Sequence, residues 1–326
     1  MGKYVIRRIL MIIPVLLGAI IVIFTINYFS VTNPAEVKLG LKATDEELLA
    51  EMEHEMGLDQ PYIVQLGNYL WDLLHGDLGD SYTYSKTVSE LLASRIPNTL
   101  RISIGALIMS IGLGVPLGLW AALKQNTAAD YIISSLAIIF SAIPGFIVAV
   151  ILMQVFSVQL GWFPVSGTDA GAISYVLPII ASGLGTMTPI VRMTRSSVLD
   201  VIRQDYVRTA RAKGIAEGKV TTRHVLKNAL IPILTMIGSG IGNCLAGSIL
   251  VEMIFQIPGM GMLINSSINS KDYITVQGCV VVCALMVAVA NLITDLAYAF
   301  VDPRIKAQYT SGSKKKKKAA AAAQEG

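Results

Sequence analysis

Residues that could carry out chemistry are few and scattered in this 326-residue sequence. Cys279 and Cys283 are four positions apart, but no histidine lies near them, and His54, His75 and His224 are far from one another. We interpret the two cysteines as packing residues, because a metal site needs several ligands at fixed spacings. Neither a nucleophile–base arrangement nor a G-x-x-x-x-G-K-[ST] phosphate loop occurs. The sequence predicts a protein that is not an enzyme and binds no cofactor itself.

Composition places the chain in a membrane. It is 53% hydrophobic and 15% charged, with a mean hydropathy of +0.61, whereas soluble domains carry about 25% charged residues. A helix needs about 20 apolar residues to cross a bilayer. Six runs satisfy this, and we expect the first to be a retained span rather than a cleaved signal peptide. The predicted spans are 9–30, 98–123, 131–158, 172–191, 229–250 and 277–301.

Lysine and arginine are distributed unevenly between the predicted loops. With the N-terminus inside, 20 of the 26 basic residues fall on the inner side. Because cytoplasmic loops carry the excess of Lys and Arg, this predicts a multi-pass protein of the cell membrane with both termini in the cytoplasm.

The segment 32–97 is too long for a simple outer loop. Thr44 and Glu47 have the spacing of a capping box, Gly57 is a typical helix stop, and Pro61 favours the start of a second helix. We therefore predict an extracytoplasmic helical insertion. The second helix is predicted to carry an apolar stripe of Ile63, Leu66, Leu70, Leu73 and Leu74.

Glycines four residues apart recur within the spans, at Gly114 and Gly118 and at Gly238 and Gly242. Small residues at this spacing allow helices to approach closely in lipid. Packing within one chain and a seam between two subunits are both consistent with this pattern.

Asp295 is an acidic residue inside the last span, about 9 Å from its inner end at 1.5 Å per residue. A carboxylate costs at least about 2.5 kcal/mol at a helix centre. We expect it to reach the inner interface or an arginine there, and prefer a structural pair to a role in a pathway.

The stretch DYVRTARAKG, residues 205–214, places three cations between two apolar spans. Arg211 and Lys213 suit the last turn of a helix, and Gly214 suits its end. We predict a cytoplasmic helical hairpin over 192–228, which binds either anionic lipid or a groove on a partner protein. Its predicted apolar stripe consists of Val198, Ile202, Tyr206, Thr209 and Ala210.

This segment resembles the cytoplasmic signature of binding-protein-dependent ABC importer permeases, loosely E-A-A-x-x-x-G with an I-x-L-P-type ending. Arg208, Thr209, Ala210 and Gly214 take the first part, with Arg208 in place of the usual acid. The gap to the Ile–Pro ending at 231–232 is longer than in the general pattern, and both departures are expected of the oligopeptide, dipeptide and nickel permease branch. Further stretches resemble the same branch and occur in the family's order along residues 1–306: GLDQPYIVQLGNYLWDLLHGDLGDS, RIPNTLRIS, LGWFPVSG, VEMIFQIPGMGMLINSSI and NLITDLAYAFVDPRI.

The resemblance implies an all-α membrane protein of the type I ABC importer permease fold. The stretch 205–214 would be a coupling helix that docks on an ATPase subunit. Its implied coupling residues are Asp205, Tyr206, Arg208, Thr209, Ala210, Arg211, Lys213 and Gly214. The implied partners are a second homologous permease, two ATPase subunits that hold ATP and Mg, an external substrate-binding protein and membrane lipids, with no nucleic acid.

The resemblance implies import of oligopeptides or dipeptides, with nickel as the alternative substrate. Asn243, Ser248 and Glu252 in the fifth span are candidates for the translocation pathway. An ion-driven secondary transporter is the alternative of another class, and would favour paired intramembrane charges or repeated broken spans. A membrane scaffold without transport is a third class.

The predicted organisation has four parts. Residues 1–31 hold the N-terminal end and the first span, 32–97 the extracytoplasmic segment, and 98–306 the core with the hairpin 192–228. Residues 307–326 form a low-complexity basic tail that we exclude from the fold.

Overall fold

A computed structural model of the protein describes residues 2–30 and 32–301, so the tail 307–326 lies outside the described residues. This part of the chain is almost entirely helical, which confirms the predicted all-α fold. The helices are α1 (Gly2–Tyr28), α2 (Pro34–Leu39), α3 (Glu46–Glu55), α4 (Tyr62–Leu74), α5 (Val88–Leu123), α6 (Ala128–Ala142), α7 (Gly145–Leu152), α8 (Val176–Ile202), α9 (Asp205–Ala212), α10 (Glu217–Lys219), α11 (Lys227–Ile254), α12 (Met260–Asn269) and α13 (Tyr273–Val301).

Five helical segments are long and apolar enough to cross a membrane, and a bent pair brings the number to as many as six. The third apolar run, predicted as one span over 131–158, is this pair: α6 and the helix from Gly145 to Gln159 meet at 101°. Ile143 between them is extended, with φ −90° and ψ 122°. The bend has a local cause, because Pro144 disfavours helical geometry in the residue before it.

The span glycines lie at close contacts within the chain. A Cβ on Gly118 would lie 2.5 Å from the carbonyl oxygen of Val191, and one on Gly114 would lie 3.0 Å from the Ile190 side chain. A Cβ on Gly238 would overlap Thr294. These glycines therefore bring α5 against α8 and α11 against α13, which is the intrachain use of the pattern.

Antiparallel packing of α1 and α13 fixes which helix ends lie together. Near one end, Arg8 Nη1 lies 2.7 Å from Asp295 Oδ2, which confirms the predicted pairing of Asp295 with an arginine. Near the other end, Asn27 Nδ2 donates to the Tyr273 carbonyl at 3.3 Å. The bundle consequently has one end that holds α9 and an opposite end that holds α2–α4 and α12.

The cap of α3 differs from the prediction. Asp45, not Thr44, is the N-cap, and its Oδ1 accepts from Glu47 N and Leu48 N at 3.2 and 3.3 Å. The predicted box is displaced because a 3₁₀ turn over Gly40–Thr44 uses Thr44 and leaves the next residue extended. Gly57 does end this segment, with φ +64°.

Helix α4 begins after Pro61 as predicted, but only part of its stripe is covered. Leu66, Leu70 and Leu73 pack against Ile20 and Phe24 of α1. Ile63 and Leu74, at the two ends of the stripe, are 74% and 81% exposed. The insertion is thus attached to the first span through the middle of α4.

Candidate functional site

The predicted hairpin 192–228 is mostly made of the ends of two long helices. Helix α8 continues to Ile202, and from Glu217 a helix runs through a π-helical stretch, Val220–Leu226, into α11. Only α9 and its two short links project beyond them. Gln204 breaks the helix before α9, because its ψ of 146° is extended.

This break makes the predicted stripe wrong for α9. A single helix from Val198 to Ala210 would have buried Tyr206 and Thr209, but Tyr206 is 44% exposed and Thr209 is exposed. The buried residues of α9 are Val207 and Ala210. The chain resets its helical phase at Gln204, so periodicity could not be carried across it.

Val207 and Ala210 fix α9 onto the bundle. They pack in one apolar cluster with Ala122 at the end of α5, Val198 in α8 and Val225 near the start of α11. Gly214 then turns the chain with φ +74°, a conformation that a residue with a Cβ adopts at a cost. Side chains from three spans therefore form the apolar surface on which α9 packs, which is the seat of α9.

Arg211 is occupied within the chain. Its Nη2 and Nε donate to the two carboxylate oxygens of Glu217 at 2.6 and 3.1 Å. These hydrogen bonds raise the pKa of the Arg211 guanidinium, so it stays charged. The pair joins α9 to the start of α10 across the Gly214 turn. Within this chain, Arg211 therefore stabilises the position of α9.

The outward side of α9 presents the remaining predicted coupling residues. Asp205, Tyr206, Arg208 and Thr209 are all exposed, and so are Lys213 and Gly214. Within the described ranges no carboxylate lies within 4 Å of Arg208. Of the predicted set, Ala210 alone is buried, so the structure brings the other residues together on one accessible helix and its C-terminal turn.

An ion pair between a buried carboxylate and a partly exposed arginine was missed by sequence reasoning. Asp130 at the start of α6 is 2% exposed, and Arg195 Nε and Nη2 donate to its two oxygens at 2.5 and 2.7 Å. Asn126 N also donates to Asp130 at 3.1 Å. The signal was an acid at the start of one apolar run and an arginine just beyond another. The pair ties α6 to the α9 end of α8.

A groove of about 240 Å³ lies between the start of α7, α8 and α11. Glycines and apolar side chains line most of it, and Ser182, Thr186, Ser239 and the predicted pathway residue Asn243 add small polar side chains. These side chains offer both hydrogen-bond donors and acceptors without a fixed charge. The groove reaches the bend between α6 and α7 through Gly145 and Phe146.

The other two predicted pathway residues are not on this groove. Ser248 and Glu252 are both 0% exposed. Glu252 Oε2 accepts from Gly261 N at 2.7 Å, so its side chain is directed at the start of α12. Sequence position within one span could not separate Asn243 from these two residues, because they occupy different faces of α11.

The helical bundle, with its five long spans and one bent pair, is that of a polytopic membrane protein. Residues 114–307 match the binding-protein-dependent transport system inner membrane component family, and residues 1–103 match its N-terminal membrane component. The chain therefore belongs to this family of ABC importer permeases. It is a transport subunit of the inner membrane and not an enzyme, and the ATPase of such a system lies on separate subunits.

Curated relatives match along their whole length. The dipeptide transport system permease protein DppB of Alkalihalophilus pseudofirmus is 39% identical, over 94% of this chain and 100% of that protein. The oligopeptide transport system permease protein AppB of Bacillus subtilis is 38% identical over 94% and 100%. The glutathione transport system permease protein GsiC of Salmonella choleraesuis is 38% identical over 94% and 99%.

Among solved structures, an inward-facing form of the MetNI methionine ABC transporter aligns with a TM-score of 0.56. It is 18% identical and covers 65% of this chain and 96% of that one. This likeness supports the importer permease fold predicted from the sequence.

Proposed function

We propose that this chain is the membrane-spanning subunit of an ATP-driven importer of oligopeptides or dipeptides, delivered by an external binding protein. The observation that carries the substrate class is the set of full-length relatives, whose names refer to dipeptide, oligopeptide and glutathione transport. Glutathione is itself a small peptide, so the three names describe one chemical class. These names favour peptides over the nickel alternative.

The groove between α7, α8 and α11 supports a role in the pathway. A peptide carries backbone N–H and C=O groups in every residue, and uncharged side chains such as Asn243 and Ser239 can exchange hydrogen bonds with them. We propose Asn243 as a pathway residue and this groove as half of the pathway. A second homologous permease supplies the other half.

We propose that α9 is the coupling helix. Its apolar side is seated on three spans, while Tyr206, Arg208 and Thr209 face outward. A helix that is packed on the spans through one side and exposed on the other can transmit movement from a docked protein to those spans. Two ATPase subunits, one docked on each permease, hold the ATP and Mg. This chain itself binds neither ATP nor Mg.

The orientation follows from charge. With α9 and both chain ends on the cytoplasmic side, the excess of Lys and Arg lies inside. The insertion α2–α4 and helix α12 then face the external binding protein, and the apolar span surfaces face lipid. Labelling of single cysteines placed at Tyr206 and Leu41, both exposed, tests this orientation with a membrane-impermeant thiol reagent. Labelling of the Tyr206 site in intact cells would contradict it.

Transport is tested with the complete complex in proteoliposomes. The chain is reconstituted with its partner permease, ATPases and binding protein, and uptake of radiolabelled di- to pentapeptides is measured with ATP and with no ion gradient. We expect peptide uptake that requires ATP and stops with a non-hydrolysable analogue. Uptake driven by a proton gradient alone would instead support a secondary transporter, and uptake of Ni²⁺ but no peptide would support the nickel alternative.

A further inference from the structure

Glu252 is a fully buried acidic residue near the end of α11, and it does not line the groove. It is 0% exposed. A buried carboxyl group needs hydrogen-bond partners. The Oε2 atom of Glu252 is bonded to α12, whereas its Oε1 atom has no hydrogen-bond partner among the described residues.

The contact with α12 is made at the first turn of that helix. Glu252 Oε2 accepts from the Gly261 N–H at 2.7 Å. The N-cap of α12, Gly259, has no side chain to cap the helix. Glu252 therefore supplies from the neighbouring span the side-chain acceptor that this helix N-terminus lacks.

The contact with α5 completes a three-way junction. Thr99 Oγ1 accepts from Met260 N at 2.9 Å, and Asn98 Nδ2 donates to the Pro258 carbonyl at 2.9 Å. Thr99 of α5 and Glu252 of α11 thus accept from adjacent N–H groups, those of Met260 and Gly261. Helices α5 and α11 thus hold the turn before α12 from both sides.

The glycines of this turn are required by the close approach. A Cβ on Gly259 would overlap the Glu252 carboxyl group, with Oε1 only 2.7 Å away. A Cβ on Gly261 would lie 2.8 Å from the carbonyl oxygen of Ile249. Neither glycine has a positive φ, so contact with α11, and not backbone conformation, excludes a side chain at these positions.

We propose that Glu252 is a positioning residue for transport, whose carboxylate joins the N-terminus of α12 to spans α5 and α11. Helix α12 then moves together with these spans when the coupling end moves, and this joint movement links transport to ATP use. A carboxyl group suits this junction, because its oxygen accepts from the Gly261 N–H, for which the glycine N-cap of α12 offers no side-chain acceptor. This inference rests on the proposed function.

The test compares peptide import with ATP hydrolysis in the reconstituted complex, for equal amounts of monodisperse complex. Loss of a buried hydrogen bond predicts that Glu252→Ala imports about tenfold less peptide per ATP, while its ATPase rate stays within about twofold. Glu252→Gln should recover most of the ratio, because its amide oxygen still accepts from Gly261 N. If Glu252→Ala does not assemble, Gly259→Ala displaces the same carboxylate and should show the same uncoupling.

Asp272 provides a matched control. It is also a 0% exposed carboxylate at this end of the molecule, but it accepts from Tyr82 N, Thr275 N and the Thr275 hydroxyl, and caps α13. Asp272→Asn should lower stability without changing peptide imported per ATP. An unchanged ratio in both the Glu252→Ala and Gly259→Ala complexes, or import and hydrolysis that fall in proportion, would overturn the inference. No import by the unmodified complex would instead refute the proposed function.

Discussion

Helices α9 and α12 are both short, lie at opposite ends of the same spans, and are held there in different ways. Apolar contacts of Val207 and Ala210 seat α9, and its polar residues stay exposed. Helix α12 buries Met260 and Leu263, and in addition its Gly261 and Met260 N–H groups donate hydrogen bonds to the Glu252 and Thr99 side chains. The apolar seat leaves one side of α9 free to bind a partner, whereas the polar seat fixes the orientation of α12.

The two kinds of contact differ in how much movement of the helix they allow. Apolar contacts are non-directional, so α9 can tilt slightly on its seat without losing an individual bond. A hydrogen bond weakens steeply as its angle changes, so α12 must move with the groups that hold it. We therefore expect disruption of the α9 seat to detach a partner, and disruption of the α12 seat to uncouple transport.

The largest expected effect comes from placing a charge in the α9 seat. Val207 is 0% exposed among apolar side chains. Val207→Asp buries an unpaired carboxylate, which costs several kcal/mol and should expel α9 from its seat. Co-purification of the ATPase subunits through a tag on this chain should fall below detection.

Val207→Ala is the graded control for this change. It removes two methyl groups but keeps the seat apolar, so ATPase recovery should fall only partly, in line with a loss of about 1–2 kcal/mol. Equal recovery for Val207→Asp and the unmodified chain would show that α9 does not depend on its apolar seat.

A second prediction concerns the α5–α8 contact that connects the two ends. A Cβ on Gly118 would lie 2.5 Å from Val191 O, whereas nothing lies within 4 Å of one on Gly112 in the same helix. Gly118→Ala should lower the unfolding free energy by about 1–3 kcal/mol, because α5 must shift away from α8. Thermal unfolding of the purified chain in detergent measures this loss.

Gly112→Ala is matched in chemistry and in helix, and should be neutral or stabilising by up to about 1 kcal/mol. Should the two alanine variants melt at the same temperature, the close contact between α5 and α8 would not be a determinant of stability.

Much of the fold could be predicted from residue order alone. Long apolar runs and the Lys and Arg bias are averages over many residues, so single errors do not change the outcome, and the five long spans follow from them. The bend at Pro144 could not be derived from composition, since prolines are also present inside the continuous helices at Pro97, Pro116 and Pro189.

The site was less predictable because it depends on single residues. Gly214 correctly indicated the end of α9. The extended backbone of Gln204 changed which face of the helix is buried. Glutamine has no strong backbone preference, so its sequence position did not indicate this break. The partners of Glu252 and Asp130 lie up to 153 residues away along the chain, as Thr99 does from Glu252. Pairings between distant segments leave no local pattern in one sequence.

A third prediction tests whether the exposed side of α9 binds acidic groups. Arg208 is exposed, so Arg208→Glu should leave the melting temperature unchanged. If acidic side chains of the ATPase meet it, reversal of the charge should weaken attachment about tenfold at low salt and less at high salt. Pull-down at two salt concentrations measures both effects. Unchanged attachment with unchanged transport would remove Arg208 from the docking surface.

The smallest effect is expected at the turn that ends α9. Gly214 has φ +74°, and nothing lies within 4 Å of a Cβ placed on it, so Gly214→Ala introduces backbone strain without a clash. That strain costs about 1 kcal/mol, and should lower the melting temperature slightly while the Arg211–Glu217 pair holds the turn together. Gly218, which is helical and equally open, is the control, and Gly218→Ala should be neutral or stabilising. If both variants behave alike, the left-handed turn is not what ends α9, and the apolar seat alone determines its length.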